Sequence, residues 1–197
     1  MVSVLAQEAN APWAVGRYGY FVDKYPHDKI CLPNYAAHHP DYLHETTMHE
    51  YAHAIVLNLA EGHVPRWLNE AIAMVAQGGA DKEIAHKFAR REIDWLAPNQ
   101  LNVELVSELE GEERTSLWYA YQQSAWIGEY LVNLKGEAGL AELLKAFADN
   151  PFLKELFMRA VNYPHAEEAL KQVYGFGQDV LFERALKWLE DGGVSAS

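Results

Sequence analysis

Cysteine is almost missing from this chain, with Cys31 the only one. A lone thiol excludes an internal disulfide and any cysteine-rich zinc module. Basic residues are also scarce: 16 Lys and Arg stand against 28 Asp and Glu, for a formal charge of −12. Binding a phosphate backbone needs clustered cations, so no nucleic-acid partner is expected. The same charge argues against attachment to an anionic membrane surface. No apolar run reaches the roughly 20 residues that span a bilayer, so no membrane segment is expected. The opening MVSVLAQEANAPW lacks a basic stretch followed by a long apolar one. No signal peptide is therefore visible, and the expected location is cytoplasmic as the chain stands, or exported if a leader has been removed.

What is present is a chain of 197 residues, half of them hydrophobic, enough for one domain with a sizeable core. Residues 13–33, WAVGRYGYFVDKYPHDKICLP, are rich in Tyr, Phe, Val and Ile and broken by Gly16, Gly19 and Pro26. They predict a hairpin with strands near 18–22 and 29–32 and a turn through YPHD. Asp41, after Pro40, is placed to cap a helix running to about Leu59 and ended by Gly62. A second helix opens at Pro65 and stops at Gly78-Gly79, and a third is expected over about 81–96. VELVSELEGEE reads as an acidic connector, and helices near 115–134, 137–148, 151–161, 165–173 and 178–190 complete the chain. The expected fold class is α+β: a small N-terminal mixed sheet or hairpin (about 16–33), a pair of helices (about 41–78) and a helical C-terminal part (about 81–190), in a single compact domain over 1–197.

The chemistry is carried by MHEYAHAI, residues 48–55. On a helix, positions four apart share a face, so His49 and His53 point the same way and can reach one ion. Glu50 lies beside that face, where it ligates poorly but can hold a water molecule. Metal-assisted hydrolysis needs this arrangement, with the ion acidifying the water and the carboxylate taking its proton. The helix is apolar on several faces, and two histidines and a glutamate buried in it would cost several kcal/mol unless paired or metallated.

Zinc requires at least one further protein ligand. Glu45 lies one turn before His49, but three ligands in line span roughly 12 Å of helix axis and surround an ion poorly. His44 is off the face, and His38 and His39 lie in the preceding loop. Glu70, in RWLNEAIAMVAQGG, is the stronger candidate. Gly62 and Pro65 allow its helix to fold back, and the small Ala71, Ala73 and Ala76 allow close approach.

HEYAH followed after a short glycine turn by PRWLNEAIA resembles the gluzincin branch of the zincin metallopeptidases, and in particular the compact "peptidase MA-like" families. The downstream YAYQQSAWIGEYLVNLKGEAGLAELLKAF and the closing VYGFGQDVLFERALKWL are also similar, so the likeness covers about residues 16–190. It implies one zinc ion per chain held by His49, His53 and Glu70, with Glu50 as general base. Asn69 matches an asparagine that precedes the ligand glutamate in many gluzincins. Two departures stand out. The familiar E-G-x-A is Glu70-Ala71-Ile72-Ala73 here, and Met74 stands where some gluzincins carry an aspartate supporting a zinc histidine. That support would fall to Asn69 or a backbone carbonyl.

The resemblance implies zinc-dependent peptide hydrolysis by zinc-activated water. Tyr121, which opens the YQQS segment, is preferred over Tyr119 as a donor to the developing oxyanion. The expected partner is a peptide or protein substrate in extended conformation, paired with the strand Lys29-Ile30-Cys31-Leu32 by strand addition. Cys31 is expected to be a small buried side chain and not a nucleophile. Two alternatives share these residues: a catalytically silent or latent zinc-binding scaffold, and a zinc amidohydrolase acting on a non-peptide amide.

Overall fold

The structure, a computed structural model, describes residues 17–21, 27–32, 38–61, 64–105, 113–149 and 166–193. Two strands, β1 (Arg17–Phe21) and β2 (His27–Cys31), pair antiparallel with Tyr18 opposite Ile30. Seven helices follow among the described residues: α1 (Pro40–Leu59), α2 (Arg66–Gln77), α3 (Lys82–Ala89), α4 (Pro98–Glu104), α5 (Glu113–Asp149), α6 (Glu167–Tyr174) and α7 (Gln178–Glu190). The expected α+β class with an N-terminal mixed sheet is therefore corrected to a mainly helical fold. Its described strands form a single two-stranded ribbon, which rests against α1 and makes no sheet layer. The helix expected near 151–161 and the first half of the YPHD turn lie outside the described residues, and His27 and Asp28 of that turn already belong to β2.

Local sequence chemistry accounts for most helix ends. Pro40 occupies the first turn of α1 after His39, where its missing N–H costs nothing. Asp41 sits inside that first turn, complementing the helix dipole, and does not act as the cap. Helix α2 starts after an extended Pro65 and ends at Gly78, whose φ of 73° is the left-handed conformation that glycine tolerates. Its first turn is secured from a distance, because Asn102 of α4 accepts a hydrogen bond from the Trp67 N–H at 3.0 Å. Gly136, with φ 67° and ψ −176°, breaks α5 into two segments, at the junction the sequence expects.

Two expectations about helix bounds fail, the first for a tertiary reason. Helix α3 ends at Ala89, not near 96, and Arg91 turns left-handed with φ 58°. The Gln123 amide, buried in α5, grips both backbone groups of Leu96, accepting from its N–H at 2.9 Å and donating to its carbonyl at 2.7 Å. Trp95 packs edge-on against Phe88, so residues beyond 91 are held in a return path across α5. Helix α4, whose last residues belong to the stretch expected as a connector, is started by Pro98.

The site is carried by α1 and α2, with α5 behind them. Trp67, Leu68 and Ala71 of α2 are fully buried in a cluster that includes Val56 of α1 and Ile127 and Leu131 of α5. Helix α2 approaches α5 closely at Gly128. A Cβ there would stand 2.9 Å from the Ala71 carbonyl oxygen and 2.8 Å from Val75 Cγ2. This contact seats α2, and with it Glu70, at a set depth.

Candidate metal centre

His49 and His53, one turn apart on α1, turn their rings toward α2, with each side chain 13% exposed. Glu70 enters from α2 and is buried, at 2% exposure. The Nε2 atoms of the two histidines are 3.1 Å apart, and Glu70 Oε2 lies 3.5 Å from each. These residues form a group that could hold a metal ion, with all ligand atoms within 4.8 Å of one another. Glu45, His44, His38 and His39 are exposed and stand outside it.

The outer atoms of all three side chains are also engaged. His53 Nδ1 lies 3.0 Å from Asn69 Oδ1, and His49 Nδ1 lies 2.9 Å from Gln77 Oε1. With the amide oxygens as acceptors, each histidine carries its proton on Nδ1 and presents a bare Nε2 to the centre. Arg66 Nε contacts Glu70 Oε1 at 3.1 Å. Arg66, Asn69 and Gln77 all come from α2, so one helix supplies both a converging carboxylate and the supports of the set.

The donor set fits a tetrahedral zinc. Ligand atoms about 2.0–2.1 Å from such an ion are on the order of 3.3 Å apart, close to the 3.1 and 3.5 Å separations found. Glu70 Oε2 is buried and makes no hydrogen bond. A buried carboxylate oxygen without a partner is costly, and two imidazole lone pairs facing each other repel. A shared cation relieves both.

The electrostatics are those of a tightly coupled group. Burial alone would lower the His49 pKa, but the nearby Glu70 carboxylate, the charge of Glu50 and the Gln77 contact outweigh it and leave it raised. His53 goes down, because burial and the neighbouring His49 and Arg66 outweigh Glu70. Burial pushes the Glu70 carboxyl up, yet the two histidines and Arg66 bring it below the usual carboxylate range. Glu70 is therefore an anion at neutral pH.

Glu50 is buried at 5% exposure, and its charge acts on both His49 and Tyr121. Tyr121 is partly buried, within electrostatic reach of Glu70, Arg66 and Glu50. Burial and the Glu70 charge push its hydroxyl pKa up, opposed by Arg66, which keeps it a proton donor at neutral pH. Tyr119 packs elsewhere, against the Ile84–Phe88 cluster of α3. Of the remaining polar residues of the YQQS segment, the two glutamines hold loops and Ser124 bonds back onto its own helix. Gln122 accepts from the Asp81 N–H at 2.8 Å and donates to the Gly79 carbonyl at 2.9 Å, Gln123 holds Leu96, and the Ser124 hydroxyl donates to the Ala120 carbonyl. The glutamines brace the exit of α2 and the return path, and none of these residues enters the centre.

Sequence reasoning names Asn69 but misses Arg66 and Gln77. A signal for both exists: they lie four residues before and seven after Glu70, positions that share its helical face. Cys31 lies in β2. Among the described residues, no helix is long and apolar enough to cross a membrane.

A family model described as the Peptidase MA superfamily matches residues 22–191, a span that takes in the hairpin's second strand, both helices of the centre and all that follow. No curated protein and no solved structure matches the chain.

Proposed function

Because the chain belongs to the Peptidase MA superfamily, we propose that it is a zinc-dependent peptidase of the gluzincin type, hydrolysing peptide bonds in extended substrates. His49, His53 and Glu70 would hold the ion. The observation that carries this reading is the convergence of two Nε2 atoms and the unpartnered Glu70 Oε2 at tetrahedral spacing. Three protein ligands are also the number that leaves one position open for chemistry, whereas structural zinc sites are closed by four.

Zinc bound there would supply Lewis-acid activation of water and polarisation of the scissile carbonyl. Glu50, next to His49 but off the ligand face, takes the proton of the attacking water and returns it to the leaving amine. Its burial and its closeness to His49 hold the carboxylate at that task. The Tyr121 hydroxyl, kept protonated by burial and by Glu70, donates to the carbonyl oxygen as negative charge develops there. The substrate backbone would add as a strand to the edge of β2 at residues 29–32, which gives affinity with little demand on side chains.

The test begins with a diverse peptide library digested by the wild-type protein and read by mass spectrometry. Glu50→Gln is then expected to retain fold and zinc content while losing about 10²- to 10⁴-fold in cleavage rate. Cleavage of the same bonds at an undiminished rate by Glu50→Gln would remove Glu50 as the base. A zinc-loaded wild type that cleaves nothing would favour the scaffold reading.

A further inference from the structure

The two oxygens of Glu70 have different surroundings. Oε2 is buried without a hydrogen bond and stands 3.5 Å from both histidine Nε2 atoms. Oε1 is taken by Arg66 Nε at 3.1 Å, a charge-assisted contact. Arg66 lies one turn before Glu70, in the first turn of α2. That turn is held by the extended Pro65 before it and by Asn102 capping the Trp67 N–H. The backbone from which Arg66 extends is therefore held independently of Glu70, while the side chain itself is 46% exposed.

We propose that Arg66 is a positioning residue that dedicates Glu70 to single-oxygen ligation and thereby keeps the fourth coordination position open. The inference rests on the zinc reading above. A carboxylate is able to bind an ion through one oxygen or both, and binding through both would fill the position that hydrolysis needs. Oε2 is the oxygen that stands at the histidine pair, and the Arg66 contact biases Oε1 away from the ion. Outer contacts of this kind orient metal ligands and tune the centre. Arg66 also contributes a positive charge, whereas the histidines are supported by the neutral amides of Asn69 and Gln77. Arg66 is thus the cationic member of this supporting set, beside the neutral amides that orient the histidines.

Cobalt(II) substitution reads this directly, since four-coordinate cobalt absorbs visible light strongly and five- or six-coordinate cobalt weakly. The wild type, loaded with one cobalt per chain, is expected to give the intense four-coordinate spectrum. Arg66→Met and Arg66→Ala, each checked for fold by circular dichroism, should still bind cobalt but with a severalfold lower visible absorbance per ion. Arg66→Lys, which keeps a cationic donor for Oε1, should restore most of the intensity. A merely structural arginine would alter stability or occupancy and leave the spectrum per bound ion unchanged. Fully loaded Arg66→Met or Arg66→Ala with the wild-type spectrum overturns the proposal and leaves the zinc reading intact. A wild type that takes up neither cobalt nor zinc overturns both.

Discussion

Gln77 lies 28 residues from His49 in sequence, yet its amide oxygen is 2.9 Å from the His49 Nδ1. Met74, one turn after Glu70, is buried and cannot serve there; the partner comes from the following turn, where the same face of α2 comes round again. Gln77→Ala removes the acceptor that sets the His49 tautomer. It is expected to weaken zinc binding by about 10- to 100-fold, measured by competition with a chromogenic chelator. Gln77→Glu keeps the acceptor and adds an anion, so it should bind zinc at least as tightly as the wild type. Equal affinity in wild type and Gln77→Ala would show that the contact has no orienting role.

Glu70 and Glu45 separate two ways of completing the ligand set. Glu70 is buried at 2% exposure and converges with the histidines, whereas Glu45 is exposed on α1. Isothermal titration should show a large loss of zinc affinity for Glu70→Ala and near wild-type affinity for Glu45→Ala. Because binding to the folded state stabilises it, a chelator should lower the melting temperature of the wild type and leave His53→Ala unmoved. The reverse ranking of the two glutamates would place the third ligand on α1.

Tyr121 and Tyr119 are two residues apart on α5 but face different surroundings, the first near Glu70 and Arg66 and the second against α3. Tyr121→Phe keeps the ring packing and deletes the hydroxyl. Loss of one oxyanion donor is expected to lower kcat by about 10²- to 10³-fold, with zinc content unchanged. Tyr119→Phe should leave kcat as it was. Steady-state kinetics on a substrate found in the library screen decide it, and a full-speed Tyr121→Phe would remove the donor role.

Gly128 tests whether the depth of α2 matters. An added methyl would meet the Ala71 carbonyl at 2.9 Å, and backbone cannot swing aside as a side chain can. Gly128→Ala is expected to destabilise by about 1–3 kcal/mol through overpacking, read by urea denaturation. Zinc affinity should fall with it, because the strain pushes on the turn that carries Glu70. Stability equal to the wild type would mean that the two helices separate without penalty.

What the sequence determined by itself is local. The spacing of His49 and His53 on one face, the place of Glu50 beside it, the glycine and proline ends of α2 and the break at Gly136 all follow from helix geometry and from backbone preferences within a few residues. Glu70 was legible as the candidate to join the two histidines because small residues and a short turn let its helix fold back, and because the surrounding motif is familiar. The weight given to the front hairpin was too great: two adjacent strands predict a ribbon, and nothing local says whether further strands join it. Tertiary structure alone decided that α3 stops at Ala89, since the Gln123 amide that holds Leu96 comes from 27 residues away. It likewise decided that Arg66 takes Glu70 Oε1 and that Gln77 meets His49. Helical periodicity states which residues share a face. It does not state which of them meets a partner, because that depends on the crossing of α1, α2 and α5, and on how closely Gly128 lets two of them approach.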